Sequence, residues 1–147
     1  MAQDVNALVK QALGSIEIPQ NVKVVCELDP QLPPVNTSDL LVDVFVELIT
    51  NAVRALEEQD GLLRIASFSV GERVSVQVTD NGPGIPLDKR NQIFDIFYTT
   101  NPQGLGFGLW WVKTFLEQQR GDITVESQAK GTTFTVTIPR NPPSLRS

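Results

Sequence analysis

Three groups of residues in this chain have types and spacings that could do chemistry. Glu47, Asn51 and Arg54 stand four and three positions apart, which puts them on one stripe of a helix. A carboxylate, a neutral oxygen ligand and a cation on one stripe suit a site for a metal and a phosphate. A solvated stripe with ordinary charge patterning has the same signature. Asp80 closes an alternating apolar run, and Asn81-Gly82-Pro83-Gly84-Ile85-Pro86 follows it. Turn chemistry alone accounts for those glycines and prolines. An Asp at the end of a buried strand, with two glycines after it, also builds a pocket. Its carboxylate can accept from an amine, and bare glycine backbone lets a flat ring approach. The third group is Gly104-Leu105-Gly106-Phe107-Gly108-Leu109, where a polar loop runs into an apolar helix. Uncovered N–H groups and the positive end of a helix dipole there form an anion site of the kind phosphate uses. A hinge before a core helix fits the same residues. A dinucleotide fingerprint does not, because the polar run 98–103 precedes these glycines instead of a strand.

Composition narrows the partners. The 147 residues suit one domain with a real core, and the hydrophobic (41%) and charged (20%) shares suit a globular protein in water. A net charge of −5 without a basic patch argues against nucleic acid. The single cysteine, Cys26, cannot form an internal disulfide, which fits a reducing cytoplasm. Residues 1–10 hold no apolar signal-peptide core. The most apolar run, 40–49, is interrupted by Asp43 and Glu47 and is too short to span a bilayer, so no membrane contact is expected. The chain has no histidine, which removes the commonest acid–base group and metal ligand.

The elements that must position the three groups can be read from periodicity. Val5, Leu8, Val9 and Ala12 predict a helix near the N-terminus (1–14), closed by Gly14. A strand is predicted over 22–28, then an extended, proline-rich loop. A long helix is predicted over 39–58, with Asn36, Thr37 or Ser38 as cap and Leu41, Val44, Phe45, Leu48, Ala52 and Leu56 on its apolar face. Gly61 is expected to break it. Strands over 63–70 and 73–79 should meet at Gly71-Glu72 as a hairpin. In the first of them the alternation slips after Ile65, which suggests a bulge. Pro86 is expected to open a helix running to Phe94. Phe94, Phe97 and Tyr98 then cluster, as core aromatics or as the root of a mobile lid over 98–107. Trp110, Trp111, Val112, Phe115 and Leu116 line the next helix, which Gly121 ends. Strands around Ile123 and Phe134 form a closing hairpin, and 140–147 reads as a frayed tail. Two hairpins imply a mixed sheet, and the helices are expected on one of its faces, giving an α/β sandwich.

Four stretches in this order resemble one family. Glu47-Leu48-Ile49-Thr50-Asn51-Ala52, Asp80-Asn81-Gly82-Pro83-Gly84-Ile85-Pro86, Ile93-Phe94-Asp95-Ile96-Phe97 and Gly104-Leu105-Gly106-Phe107-Gly108-Leu109 are similar to the N, G1, F and G2 boxes of the GHKL superfamily. Gly131-Thr132-Thr133-Phe134 resembles its closing strand. Within the superfamily the chain looks most like the catalytic ATP-binding domain of bacterial sensor histidine kinases. The resemblance implies a Bergerat-type fold of the α+β class and binding of ATP with Mg²⁺. It implies Mg²⁺ on the Asn51 oxygen, the adenine amine on Asp80, and Ile85 against the ring. Thr132 would support Asp80, directly or through water. Gly82 and Gly84 would allow close approach, and Gly104, Leu105, Gly106 and Gly108 would present backbone N–H groups to the phosphates. Arg54 would contact phosphate, and Glu47 matches the acidic residue that is general base in several members; in a kinase it would polarise the attacking histidine or only orient water or metal.

The implied reaction passes the γ-phosphoryl group to a histidine on a separate phosphoacceptor domain or chain. A response regulator would follow, and the full protein would be a dimer. The chain departs from the pattern at Asn101, where kinases with a similar short lid often carry lysine, at Phe107 in place of leucine, and at the bulky Trp110 and Trp111. A serine kinase of the anti-sigma type, a gyrase-, MutL- or Hsp90-like ATPase and a docking module without kinase activity are the competing readings.

Overall fold

The computed structural model describes residues 2–57, 59–95, 108–128 and 130–141. Among the described residues, seven strands and three α-helices follow in the order β1 (Ala2–Gln3), α1 (Val5–Gly14), β2 (Val22–Glu27), β3 (Val35–Asn36), α2 (Leu41–Ala55), β4 (Gly61–Val70), β5 (Arg73–Asp80), α3 (Gly108–Gln118), β6 (Asp122–Gln128) and β7 (Gly131–Pro139). The main sheet has the order β2-β4-β5-β7-β6. β2 runs parallel to β4, and the other pairs are antiparallel. The mixed sheet and its helix layer agree with the expected α/β sandwich. Alternate residues of the central strands, Leu63, Ile65, Val74, Val76, Val78, Phe134, Val136 and Ile138, are buried. They meet the apolar stripe of α2, where Leu41, Val44, Phe45, Leu48, Ile49 and Ala52 are buried, and Val112, Phe115 and Leu116 of α3. α1 packs against α2, with Asp4 capping it through a 3.2 Å bond from the Ala7 N–H.

Several elements differ from the expectation, each for a local reason. α2 is shorter than 39–58. Ser38 Oγ accepts from the Leu40 N–H (3.1 Å) and turns the chain into the helix, and Leu56 already makes a tighter bond back to the Val53 carbonyl. Gly61 does not end α2 but begins β4. A Cβ there would lie 2.7 Å from the Leu56 side chain, so glycine lets the strand pass beneath the helix end. β4 has no bulge, because its pairing with β5 is continuous from Leu63↔Asp80 to Val70↔Arg73. The apparent slip is Ser67, a polar residue on the buried face. Its hydroxyl donates to Asn6 Oδ1 (2.8 Å) and accepts from the Asp29 N–H (2.9 Å). The helix expected from Pro86 to Phe94 is one 3₁₀ turn, Leu87–Lys89, followed by further turns. Of residues 86–94 only Ile93 is buried, too little apolar surface to hold a helix.

Arg140 and Asn141, expected in the tail, are tied down. The Arg140 N–H donates to the Glu72 carbonyl, the Asn36 N–H donates to the Arg140 carbonyl, and Asn36 bonds Asn141 through its side chain. The lid expected over 98–107, with Gly104, Leu105 and Gly106, lies outside the described residues, as does the rest of the tail.

Candidate functional site

At one end of the sheet the buried face changes from apolar to polar. In β5 the core positions are Val74, Val76, Val78 and then Asp80; in β7 they are Ile138, Val136, Phe134 and then Thr132. Asp80 and Thr132 face each other in the ladder and are 6% and 5% exposed. Sheet alternation alone therefore delivers a carboxylate and a hydroxyl to the edge of the core.

Asp80 Oδ1 accepts from the Gly82 N–H at 2.9 Å, which fixes the carboxylate and leaves Oδ2 for a ligand. Burial raises the Asp80 pKa above the ordinary range, and the Gly82 bond opposes part of that rise. Gly84 has a φ of 80°, and a Cβ there would sit 1.9 Å from the Gln128 carbonyl oxygen. Only glycine permits that approach to the β6–β7 turn. Ile85 is held beside it. Its N–H donates to Ser127 Oγ at 2.6 Å, and its carbonyl accepts from Arg90 Nε at 3.1 Å.

The opposite wall comes from α2. Glu47, Asn51 and Arg54, the stripe read from their spacing, all line the same cavity and are partly buried. Arg54 Nη1 donates to Asn51 Oδ1 at 3.1 Å. Glu47 lies against the start of α3: a Cβ on Gly108 would fall 2.0 Å from Glu47 Oε1. Burial raises the Glu47 pKa above the usual carboxylate value, and the charge of Arg54 pulls it part of the way back. The cavity between the walls measures 870 Å³ and is also lined by Asp80, Gly84, Ile85, Ile93, Gly108, Leu109 and Thr132. That volume is within the range of small-molecule sites.

The structure thus brings together Glu47, Asn51, Arg54, Asp80, Gly84, Ile85, Gly108 and Thr132. Gly82 stands just behind Asp80, where a Cβ would be 3.0 Å from both Asp80 Oδ1 and the Ala55 carbonyl. Gly104, Leu105 and Gly106 fall outside the described residues. Sequence reasoning missed Ser127, whose hydroxyl joins Ile85 to Thr132. The signal was present, since Ser127 keeps the parity of Ile123 and Val125 on the buried face of β6. It also missed Lys89, a cation lining the cavity.

The donor set fits a divalent cation only in a limited way. Among the described residues no group of three or more His, Cys, Asp or Glu is positioned as a metal cage. The Asn51 oxygen keeps a second lone pair beside its bond from Arg54. A hard cation held by one or two protein oxygens, with its other ligands from water and phosphate, suits that arrangement.

The pattern of the family described as histidine kinase-, DNA gyrase B- and HSP90-like ATPase matches residues 36–142. The signal transduction histidine-protein kinase AtoS of Escherichia coli is 35% identical over 143 residues, covering 93% of this chain and 23% of AtoS. The sensory histidine kinase/phosphatase NtrB of Azospirillum brasilense is 36% identical over 135 residues, covering 82% of this chain and 34% of NtrB. The chain therefore spans about a quarter to a third of the length of these relatives. The nucleotide-free catalytic domain of histidine kinase ThkA superposes with a TM-score of 0.86 at 28% identity, covering 97% of this chain and 96% of that one. ThkA has also been solved in complex with the response regulator protein TrrA.

Proposed function

This chain belongs to the family of histidine kinase-, DNA gyrase B- and HSP90-like ATPases, and from that premise we propose that its cavity binds ATP with Mg²⁺ and donates the γ-phosphoryl group to a histidine on another domain or chain. The observation that carries the reading is the pairing of walls. A buried, hydrogen-bonded carboxylate closes one end of the cavity, and Glu47, Asn51 and Arg54 line its other wall.

Asp80 accepts from the adenine amine through the oxygen that Gly82 does not use. Ile85 packs on the ring, and Gly84 gives it room. Arg54 meets the phosphates beside Asn51, whose side-chain oxygen would hold Mg²⁺. When bound, the metal supplies charge neutralisation on the phosphate oxygens. Gly108 keeps the start of α3 bare for phosphate, and Gly104, Leu105 and Gly106, outside the described residues, are proposed as further phosphate contacts. Glu47, with its raised pKa, faces the incoming imidazole and holds its proton as the nitrogen attacks. Most of the catalysis is positioning and charge stabilisation.

The attacking histidine must come from elsewhere, because the chain contains none. The partners proposed are a phosphoacceptor histidine domain, in a dimeric full protein, and then a response regulator, as the ThkA–TrrA complex suggests. Cytoplasmic location is part of this reading; no helix among the described residues is long and apolar enough to cross a membrane. Calorimetric titration with ATP, in Mg²⁺ and in EDTA, tests the binding step. Saturable binding strengthened by Mg²⁺ is expected, and no binding in either condition contradicts the proposal.

A further inference from the structure

Residues 83–86 form a wall one chain thick between two cavities. Pro83, Gly84, Ile85 and Pro86 line the 870 Å³ cavity of the site on one side and a groove of 520 Å³ on the other. No packed layer backs the wall where the groove runs. Its own backbone offers little to hold it either. The segment belongs to no helix or strand, and Pro83 and Pro86 have no N–H to give.

Two side chains pin the wall, both at Ile85. Ser127 Oγ accepts its N–H at 2.6 Å, and Arg90 Nε donates to its carbonyl at 3.1 Å. The direction of the second bond is fixed, because a guanidinium only donates and a carbonyl only accepts. Arg90 reaches the wall from behind. It lines the groove with Leu87 and Gln128, and it does not line the cavity of the site. Arg90 is itself anchored. Its N–H donates to the Leu87 carbonyl at 3.3 Å, and the turns that follow lead to Ile93, which is buried in the core.

We infer that Arg90 is a positioning residue that braces the Ile85 wall from the groove and so keeps the site in the form that takes nucleotide. The inference rests on the ATP reading above, in which Ile85 packs on the ring. Only chains with the wall in place bind, so the apparent Kd is the intrinsic value divided by the fraction in place. Removing one of the two pins lowers that fraction. The brace acts on the ring side of the ligand, so its loss weakens every adenine nucleotide by the same factor, whatever its number of phosphates. A cation acting on the phosphates would do the opposite.

Two variants isolate the bond. Arg90→Gln carries an N–H donor the same number of bonds from the backbone as Arg Nε, whereas Arg90→Met keeps the length and has no donor. Both remove the charge, so their difference reports the brace alone. In Arg90→Met the affinities for AMP, ADP and ATP should all fall by one common factor of about two to ten, the worth of one hydrogen bond. Arg90→Gln should recover most of that loss. Without nucleotide, amide exchange at Ile85 should speed up in Arg90→Met by a similar factor, while Val76 and Val78 of β5 keep wild-type protection. Wild-type affinity in Arg90→Met, or equal losses in the two variants, overturns the inference. A loss that grows from AMP to ATP marks a phosphate contact and overturns it as well. Exchange that speeds up in β5 together with Ile85 means that Arg90 holds the fold as a whole, which also overturns it. If the wild-type chain binds no ATP, the underlying reading fails, and exchange at Ile85 still decides the brace: faster in Arg90→Met and not in Arg90→Gln supports it, and no difference overturns it.

Discussion

Asp80→Asn separates the chemistry of the base pocket from its shape. Asp80 Oδ1 is held by the Gly82 N–H at 2.9 Å, and an asparagine oxygen can keep that bond. The amide nitrogen is then directed to the place of Oδ2, where the adenine amine must donate, so two donors meet. The lost bond to a charged acceptor is worth about 1.5–3 kcal/mol. ATP affinity should fall about 10- to 150-fold, and the mismatch places it toward the upper end. Stability should move the other way. Burial raises the Asp80 pKa, so the folded state holds the Asp80 proton more tightly than the unfolded state. That contribution favours the fold at acid pH. It is lost as pH rises from the unfolded value of about 3.9 through the raised folded value. Near neutral pH the wild-type apo chain therefore carries a destabilising buried charge that Asp80→Asn removes. Calorimetry for ATP and thermal melts across pH read both effects. The variant should melt no lower than wild type near neutral pH, and the difference should shrink on acidification. ATP binding within threefold of wild type would refute the assignment of the base pocket, and a neutral-pH melting point well below wild type would refute the electrostatic argument.

Other variants probe the remaining walls. Asn51→Ala should weaken ATP binding far more in Mg²⁺ than in EDTA; equal losses would mean that Asn51 holds nucleotide or structure, not metal. Gly84→Ala must place a Cβ 1.9 Å from the Gln128 carbonyl at a φ of 80°, so urea unfolding should show a loss of about 2 kcal/mol or more. Gly108→Ala pushes on the Glu47 carboxylate, whose Oε1 would lie 2.0 Å from the new methyl. A double-mutant cycle of Gly108→Ala with Glu47→Ala should then show a coupling of about 0.5–1 kcal/mol in ATP binding, and additive losses would mean the two do not meet.

The central strands and the site were legible for the same reason. Alternation in β5 and β7 marks the core face, and Asp80 and Thr132 extend it by one step. The spacing of Glu47, Asn51 and Arg54 marked one helix stripe, but only the packing of α2 against the sheet shows that the stripe faces a cavity. Ser67 and Ser127 escaped because polar residues on a buried face break the apolar pattern. Their partners, Asn6, Asp29, Ile85 and Thr132, are distant in sequence or across a hairpin. The pairing of β1 with β3 was equally hidden, since two-residue strands carry no period. The supposed helix after Pro86 shows the opposite error. Proline supplied a start, but residues 86–94 offer too little apolar surface to continue it.

The most direct test of the account is phosphoryl transfer itself. The chain is incubated with γ-labelled ATP and Mg²⁺, alone and with a histidine-bearing helical phosphoacceptor domain. Label should appear only on the acceptor, should be acid-labile as phosphohistidine is, and should disappear with Asp80→Asn. Acid-stable label, on this chain or on hydroxyl groups of the acceptor, would contradict the proposed transfer to histidine.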